Sequence, residues 1–514
     1  MTTKVTAPRN RKRKDIKTAT SEVGGDASQP QLPSRPQLII PQVATPPPDR
    51  QELAATPQQQ QNQHLSEKQQ QQQQLVLSPR RNSFVKRESV SHDENAFAAL
   101  RWRYKLPILY QPSQADTFES AFISHFVELN RGVRSNHPEI PFLTHLPEMH
   151  NNTKVPALKL SIRAASMAFY SKIHGEVQIL VDSYRWYSKC LNTQRKALTT
   201  LGGTAMPTDE EVLVPVILAL YEIYAGTAPT NVFQHLNAAT RILDMRGPRN
   251  CSSGVSYPLF KALRISDSHR AVVFNKPSVF SKPAWMRLPF LIQPRNAHMY
   301  LADIILETPD CIALSGIDGN LNYFFSNPIP NKTNLEPLKT RTNELLTRLD
   351  QWATNYPHFL RGYTAYQFTT LDMGTPVEEP PTPESPNLIL PDTFVALTAA
   401  TFKAIGIILK LLLHKILQTE IDRTPGADGE AQTLTQMSDL MEESGKHAQN
   451  ILEIGEFFES THPVGFDFLR SVFPVVIVAL LGTSEKQRTI ARTTLDRWGA
   501  KRGLGGLCGA WIDT

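Results

Sequence analysis

The feature that most constrains this fold is a run of apolar residues spaced by three and four between Leu158 and Pro248. Ile173, Val177, Leu180, Tyr184, Tyr187 and Leu191 fall on one line of a helical surface. Leu198 and Leu201 continue the line, and Gly202-Gly203 is its expected stop. A half-buried sheet needs alternation with a period of two. Such runs are scarce here, and none pairs convincingly through an Asn-Gly or Asp-Gly turn. The expected fold class is all-α, a multi-helix, bundle-like body.

The same spacing predicts the neighbouring helices. Phe118, Phe122, Phe126 and Leu129 share a face. Thr208-Asp209-Glu210-Glu211 supplies acids ahead of a helix expected after Pro215, which carries Ile217, Leu220, Tyr221 and Tyr224. A third helix carries Val232, Leu236, Ala239, Leu243 and Arg246 and stops at Gly247-Pro248. Further helices are expected over 255–270, 285–308, 334–355, 392–420, 433–460, 464–483 and 485–502. Gly374–Pro391 holds six prolines and three glutamates, which forbid a helix. It reads as an exposed loop, either a spacer between two helical halves or an insertion. Ala404–Leu413 and Val472–Leu481 are the most apolar stretches. Both fall short of the roughly 20 residues that span a bilayer, so they read as core helices and no membrane partner is expected.

Residues 1–95 read differently. Pro, Gln and Ser dominate, apolar periodicity is missing, and Gln58–Gln61 and Gln69–Gln74 are low-complexity tracts. A disordered N-terminal tail is expected there, with the ordered body over 96–514. The first 100 residues hold 14 Lys and Arg against 9 Asp and Glu, and the remaining residues hold 40 against 39. The basic character therefore belongs to the tail, and the near-neutral body is not an obvious nucleic-acid surface.

Motifs for chemistry are missing. The chain has no P-loop, no dinucleotide-binding glycine pattern after a strand, no Gly-x-Ser-x-Gly and no His-Glu-x-x-His. Cys190, Cys251, Cys311 and Cys508 are widely spaced and read as reduced, mostly buried thiols. The glycine-rich Gly503–Gly509 reads as a flexible connection between helices. His174 and His235 read as boundary residues, each making one hydrogen bond. Glu222 sits beside an apolar stripe and is expected to be partly buried against an arginine such as Arg163 or Arg246. No residue is assigned to catalysis, cofactor binding or metal binding.

Two basic features carry more meaning. Arg9, Arg11, Lys12, Arg13, Lys14 and Lys17 form a candidate nuclear import signal on accessible chain. Ser83 and Ser89 follow the basic pairs Arg80-Arg81 and Lys86-Arg87, and Ser78, Thr382 and Ser385 each precede proline. These five are candidate phosphorylation sites, where added charge would dock or release a mobile segment.

The stretch from Leu158 to Pro248 also resembles the fungal-specific transcription factor domain, the helical region of regulators that usually carry an N-terminal binuclear zinc cluster. The matching residues are Arg163-Ala164-Ala165, the small residues up to Gly175, and Tyr187 four residues before Leu191. Leu220-Tyr221-Glu222, His235 and Arg246-Gly247-Pro248 follow in order. Phe473-Pro474 and the closing Trp498, Arg502-Gly503 and Trp511 extend the likeness over roughly residues 97–514. The resemblance implies a nuclear transcriptional regulator of RNA polymerase II genes in a fungus. Its body would contact the transcription machinery or another DNA-binding regulator, or form a homodimer or heterodimer. This sequence departs from the family in having no cysteine before Cys190, so the six-cysteine module is not in it. Zinc is expected only with a cluster encoded upstream of Met1. The alternatives carried forward are a cluster-less cofactor or scaffold acting through a DNA-binding partner, and a helical enzyme acting on an apolar small molecule.

Overall fold

The computed structural model describes residues 118–130, 143–200, 206–228, 230–364, 393–425, 430–501 and 503–512. Among them are seventeen α helices, joined in places by short 3₁₀ turns, and no strand. The all-α class expected from spacing is what the chain adopts. The tail 1–95, the Gly202-Gly203 stop and the Pro-rich 374–391 lie outside the described residues.

The helices in chain order are α1 (Glu119–Asn130), α2 (Leu146–Asn152), α3 (Pro156–His174), α4 (Val177–Thr200), α5 (Asp209–Ala225) and α6 (Asn231–Arg246). Then come α7 (Ser256–Val273), α8 (Pro283–Arg287), α9 (Ala297–Ala313), α10 (Leu321–Ser326), α11 (Leu335–Asn355) and α12 (Pro357–Thr364). The last are α13 (Thr393–Arg423), α14 (Glu430–Thr461), α15 (Phe466–Leu481), α16 (Glu485–Lys501) and α17 (Gly505–Ile512).

Local chemistry sets the boundaries. Thr208 and Glu211 form a reciprocal capping box at the start of α5, with the Glu211 carboxylate 2.7 Å from the Thr208 amide. That cap places the acids inside the first turn. The helix therefore begins at Asp209, ahead of the expected start after Pro215, and accommodates Pro215 in its second turn. Asn296 caps α9 by accepting from the Met299 amide at 2.9 Å. The expected helix over 285–308 is thus two pieces, α8 and α9, parted by a 3₁₀ turn over Leu288–Phe290 and by Pro294.

Gly175 divides the opening stripe. It closes α3 in the left-handed conformation, φ +74°, and donates its amide to Ser171 O. Ile173 and Val177 flank this break and are exposed, at 41% and 38%, whereas Leu180 and Tyr187 are buried. From Leu180 to Leu191 the stripe is buried or half-buried, and Ile173 and Val177 lie outside the core. Phe122 and Phe126 of α1 are buried as expected, but Phe118 and Leu129 are exposed.

One apolar core runs through the body. Helix α3 packs on α1, α4 and α5, and α5 packs on α6. Helix α13 packs on α9, α11, α14 and α15. Across the Pro-rich segment, the Trp352 ring of α11 stacks on Phe402 of α13 at 5.2 Å, and its indole N–H donates to Ala297 O at 2.8 Å. Each fully buried side chain of this kind contributes about 1.5–3 kcal/mol through removal from water. Helix α13 is long and apolar enough to span a bilayer by length and composition, because its apolar surface extends well ahead of Ala404. The share of its most apolar window buried inside the body is 78%, which makes it the central core helix.

The glycine-rich C-terminal stretch is not a flexible connection. Residues from Gly505 form α17, which packs on α5, α6, α15 and α16 with Leu507, Cys508 and Trp511 buried. A Cβ at Gly506 would stand 2.0 Å from the main-chain oxygen of Glu222, so glycine is what lets the two helices approach.

Candidate functional site

Three of the singled-out residues meet at the junction of α4, α5 and α6. The Tyr187 hydroxyl lies 3.0 Å from His235 Nε2 and also hydrogen-bonds Glu222. The Tyr187 ring stacks on Tyr221 at 4.3 Å with planes 13° apart. Glu222 has no exposed surface. Its Oε2 accepts from the amide and hydroxyl of Thr227, and its Oε1 accepts from Asn231 Nδ2 at 3.1 Å. These donors lie just past the α5 C-terminus and in the first turn of α6. The carboxyl thus ties the end of one helix to the start of the next.

The expected arginine partner of Glu222 is absent from this arrangement, and uncharged donors take its place. Both arginines are engaged elsewhere. Arg163 faces Glu119 of α1 at 3.4 Å and lies over the Trp186 ring at 3.7 Å. Arg246 donates to Pro207 O at 2.8 Å and to Ser256 Oγ at 2.7 Å, and pairs with Asp209 at 2.9 Å. It thereby clamps the α5 start to the ends of α6 and α7. Gly247, at φ +77°, stops α6 with its amide on Leu243 O, and Pro248 opens a short 3₁₀ turn.

Burial governs the electrostatics of the junction. It pushes the Glu222 carboxyl above its ordinary range, against the opposing pull of the Thr227, Tyr187 and Asn231 hydrogen bonds. Burial lowers His235 to about 4 and raises the Tyr187 phenol, with Glu222 adding to the latter shift. Near neutral pH His235 is an uncharged ring and Tyr187 an intact phenol. The set is a closed hydrogen-bond chain joining three helices, suited to holding their registers.

His174, by contrast, sits at the surface with its Nε2 3.3 Å from His125 Nε2. All four cysteines are free and buried, and burial lifts the Cys190 and Cys508 thiols to about 12. Among the described residues no three His, Cys, Asp or Glu side chains converge as a metal site. The import candidates Arg9, Arg11, Lys12, Arg13, Lys14 and Lys17 and the phosphorylation candidates Ser78, Ser83, Ser89, Thr382 and Ser385 lie outside the described residues.

Sequence spacing did not reveal a cavity between α5, α6, α7, α15 and α17. Its wall-formers, such as Ala219 and Ile223 on α5 or Val232 and Leu236 on α6, repeat at helical spacing and read as ordinary core. Its polar members, Ser266 and His269 on α7 and Arg470 on α15, stand in no motif.

No family model matches the chain, and neither a curated protein nor a solved structure does so.

Proposed function

We propose that this protein is a nuclear transcriptional regulator of RNA polymerase II genes, whose helical body serves partner contact and regulation. The observation that carries the reading is the ordered series Arg163, Tyr187, Glu222, His235, Arg246-Gly247-Pro248, set behind a basic, glutamine-rich segment. In space Tyr187, Glu222 and His235 form one hydrogen-bonded junction. Arg246 and Gly247 fix the helix ends beside it. That gives the members of the series a shared structural role. The near-neutral charge balance beyond residue 100 favours contact with the transcription machinery or another regulator over direct contact with DNA phosphates. Reading the genomic DNA upstream of Met1 for six clustered cysteines in frame decides whether DNA reading belongs to this polypeptide or to a partner.

Nuclear entry tests the proposal. Met1–Lys17 fused to a fluorescent reporter is expected to carry it into the nucleus. Replacing Arg11, Lys12, Arg13 and Lys14 by alanine in the full chain is expected to leave the protein in the cytoplasm. A wild-type chain that stays cytoplasmic would contradict the reading.

A further inference from the structure

The cavity ringed by α5, α6, α7, α15 and α17 has a volume of about 90 Å³ and an almost wholly carbon lining. That is of the same order as the ~150 Å³ apolar cavity that takes up benzene. Its mouth is marked by partly exposed Leu236, Ala262, Ser266 and Phe466, and deeper positions such as Val232, Leu263 and Phe473 are buried.

Among the polar lining residues Ser266, His269 and Arg470, His269 alone holds a buried side-chain atom without a hydrogen-bond partner. His269 is 4% exposed, its ring stacks flat on Phe473 at 3.9 Å, and its Nε2 is buried without a hydrogen-bond partner. Leaving a buried polar atom unpaired is costly, so such atoms mark places where a partner belongs. Burial holds this ring well below the ordinary histidine range, with His298 and Arg470 adding to the shift, so it is uncharged at neutral pH. A neutral imidazole nitrogen either accepts or donates according to its tautomer. A hydroxyl is the small group that satisfies both cases.

From this geometry we infer that the cavity binds an apolar molecule of about one ring in size carrying a single hydroxyl. The hydroxyl bonds His269 Nε2, and the hydrocarbon packs among side chains such as Leu220, Phe233 and Trp511. Because the site joins α5 and α6 to the C-terminal helices α15 and α17, its occupant would fasten the last helix to the rest of the body. The inference stands without the regulator reading.

Calorimetric titration of the full chain with phenol, toluene and benzoate tests it. The three differ only in the group presented to His269. Phenol is expected to bind about five- to tenfold more tightly than toluene, as one added hydrogen bond would give, and benzoate more weakly than phenol. In His269→Phe, which keeps the stack on Phe473, phenol and toluene are expected to bind alike. In Ala262→Phe, at the partly exposed mouth, binding of all three is expected to be lost with folding intact. Equal binding of phenol and toluene by the wild type would overturn the proposal. So would a phenol preference that survives His269→Phe, tightest binding of benzoate, or undiminished binding by Ala262→Phe.

Discussion

Gly506 of α17 rests directly on the main-chain oxygen of Glu222 in α5, so close that a Cβ there would stand 2.0 Å away. The last helix of the chain thereby packs on the helix that carries the buried carboxyl. Gly506→Ala is expected to destabilise the protein by at least ~2 kcal/mol, because backbone must move to admit the methyl group. Gly505→Ala, whose Cβ would meet only Gly499 O at 3.5 Å, is the control and is expected to cost little. Urea denaturation of both variants checks this. Equal midpoints would show that α17 does not seat where described.

Glu222 should respond to pH in the sense opposite to a paired carboxylate. Its folded pKa is raised by burial, so the folded state keeps a proton that the unfolded state releases. The stability this supplies is full below the ordinary glutamate range and is lost as pH rises through the raised value. Glu222→Gln keeps the shape without the ionisation. It is expected to match the wild type near pH 4 and to equal or exceed it near pH 8. Stability curves against pH measure this, and a variant increasingly destabilised toward alkaline pH would contradict it.

Buried histidines act at the other end of the scale. Burial lowers His235 to about 4 and His447 to about 3, and lowers His269 as well. Each takes up a proton on unfolding once the pH drops below about 6.5. Their contribution is present above that value and is lost as pH falls toward the folded values, at up to about 1.4 kcal/mol per pH unit for each ring. Denaturation midpoints should fall between pH 7 and pH 5, and His447→Gln should make that fall shallower. A flat profile would contradict the burial of these rings.

Arg246 joins the Pro207 carbonyl, the Asp209 carboxylate and the Ser256 hydroxyl. Arg246→Ala is expected to cost about 2 kcal/mol. Arg246→Lys should restore only part of this, since one ammonium cannot span the fork that the guanidinium fills. Thermal denaturation of the two variants at matched ionic strength checks the ordering. Full rescue by lysine would reduce the clamp to a simple charge.

The helices were legible wherever a long amphipathic run met a clear stop. The segments expected at 334–355, 433–460 and 485–502 differ from α11, α14 and α16 by three residues at most. Local signals failed where geometry overrode periodicity. Gly175 interrupts a stripe that reads as continuous, because spacing carries no record of a left-handed φ. The glycines of α17 read as a flexible link, because the Glu222 carbonyl that requires glycine at Gly506 comes from a helix far away in the chain. The neighbours of Glu222 on the helix predict a partly buried carboxyl, and the structure buries it completely. They do not predict its partners, since Thr227 and Asn231 come from a turn whose path no apolar pattern describes. The cavity beside His269 was illegible for the same reason, its walls being drawn from five helices.

Transcript profiling of cells that lack this chain, restored in parallel with the wild-type gene, tests the central claim most directly. The regulator reading predicts a coherent set of genes that changes on loss and returns on restoration. A profile indistinguishable from the parent strain under conditions where the protein is expressed would contradict it.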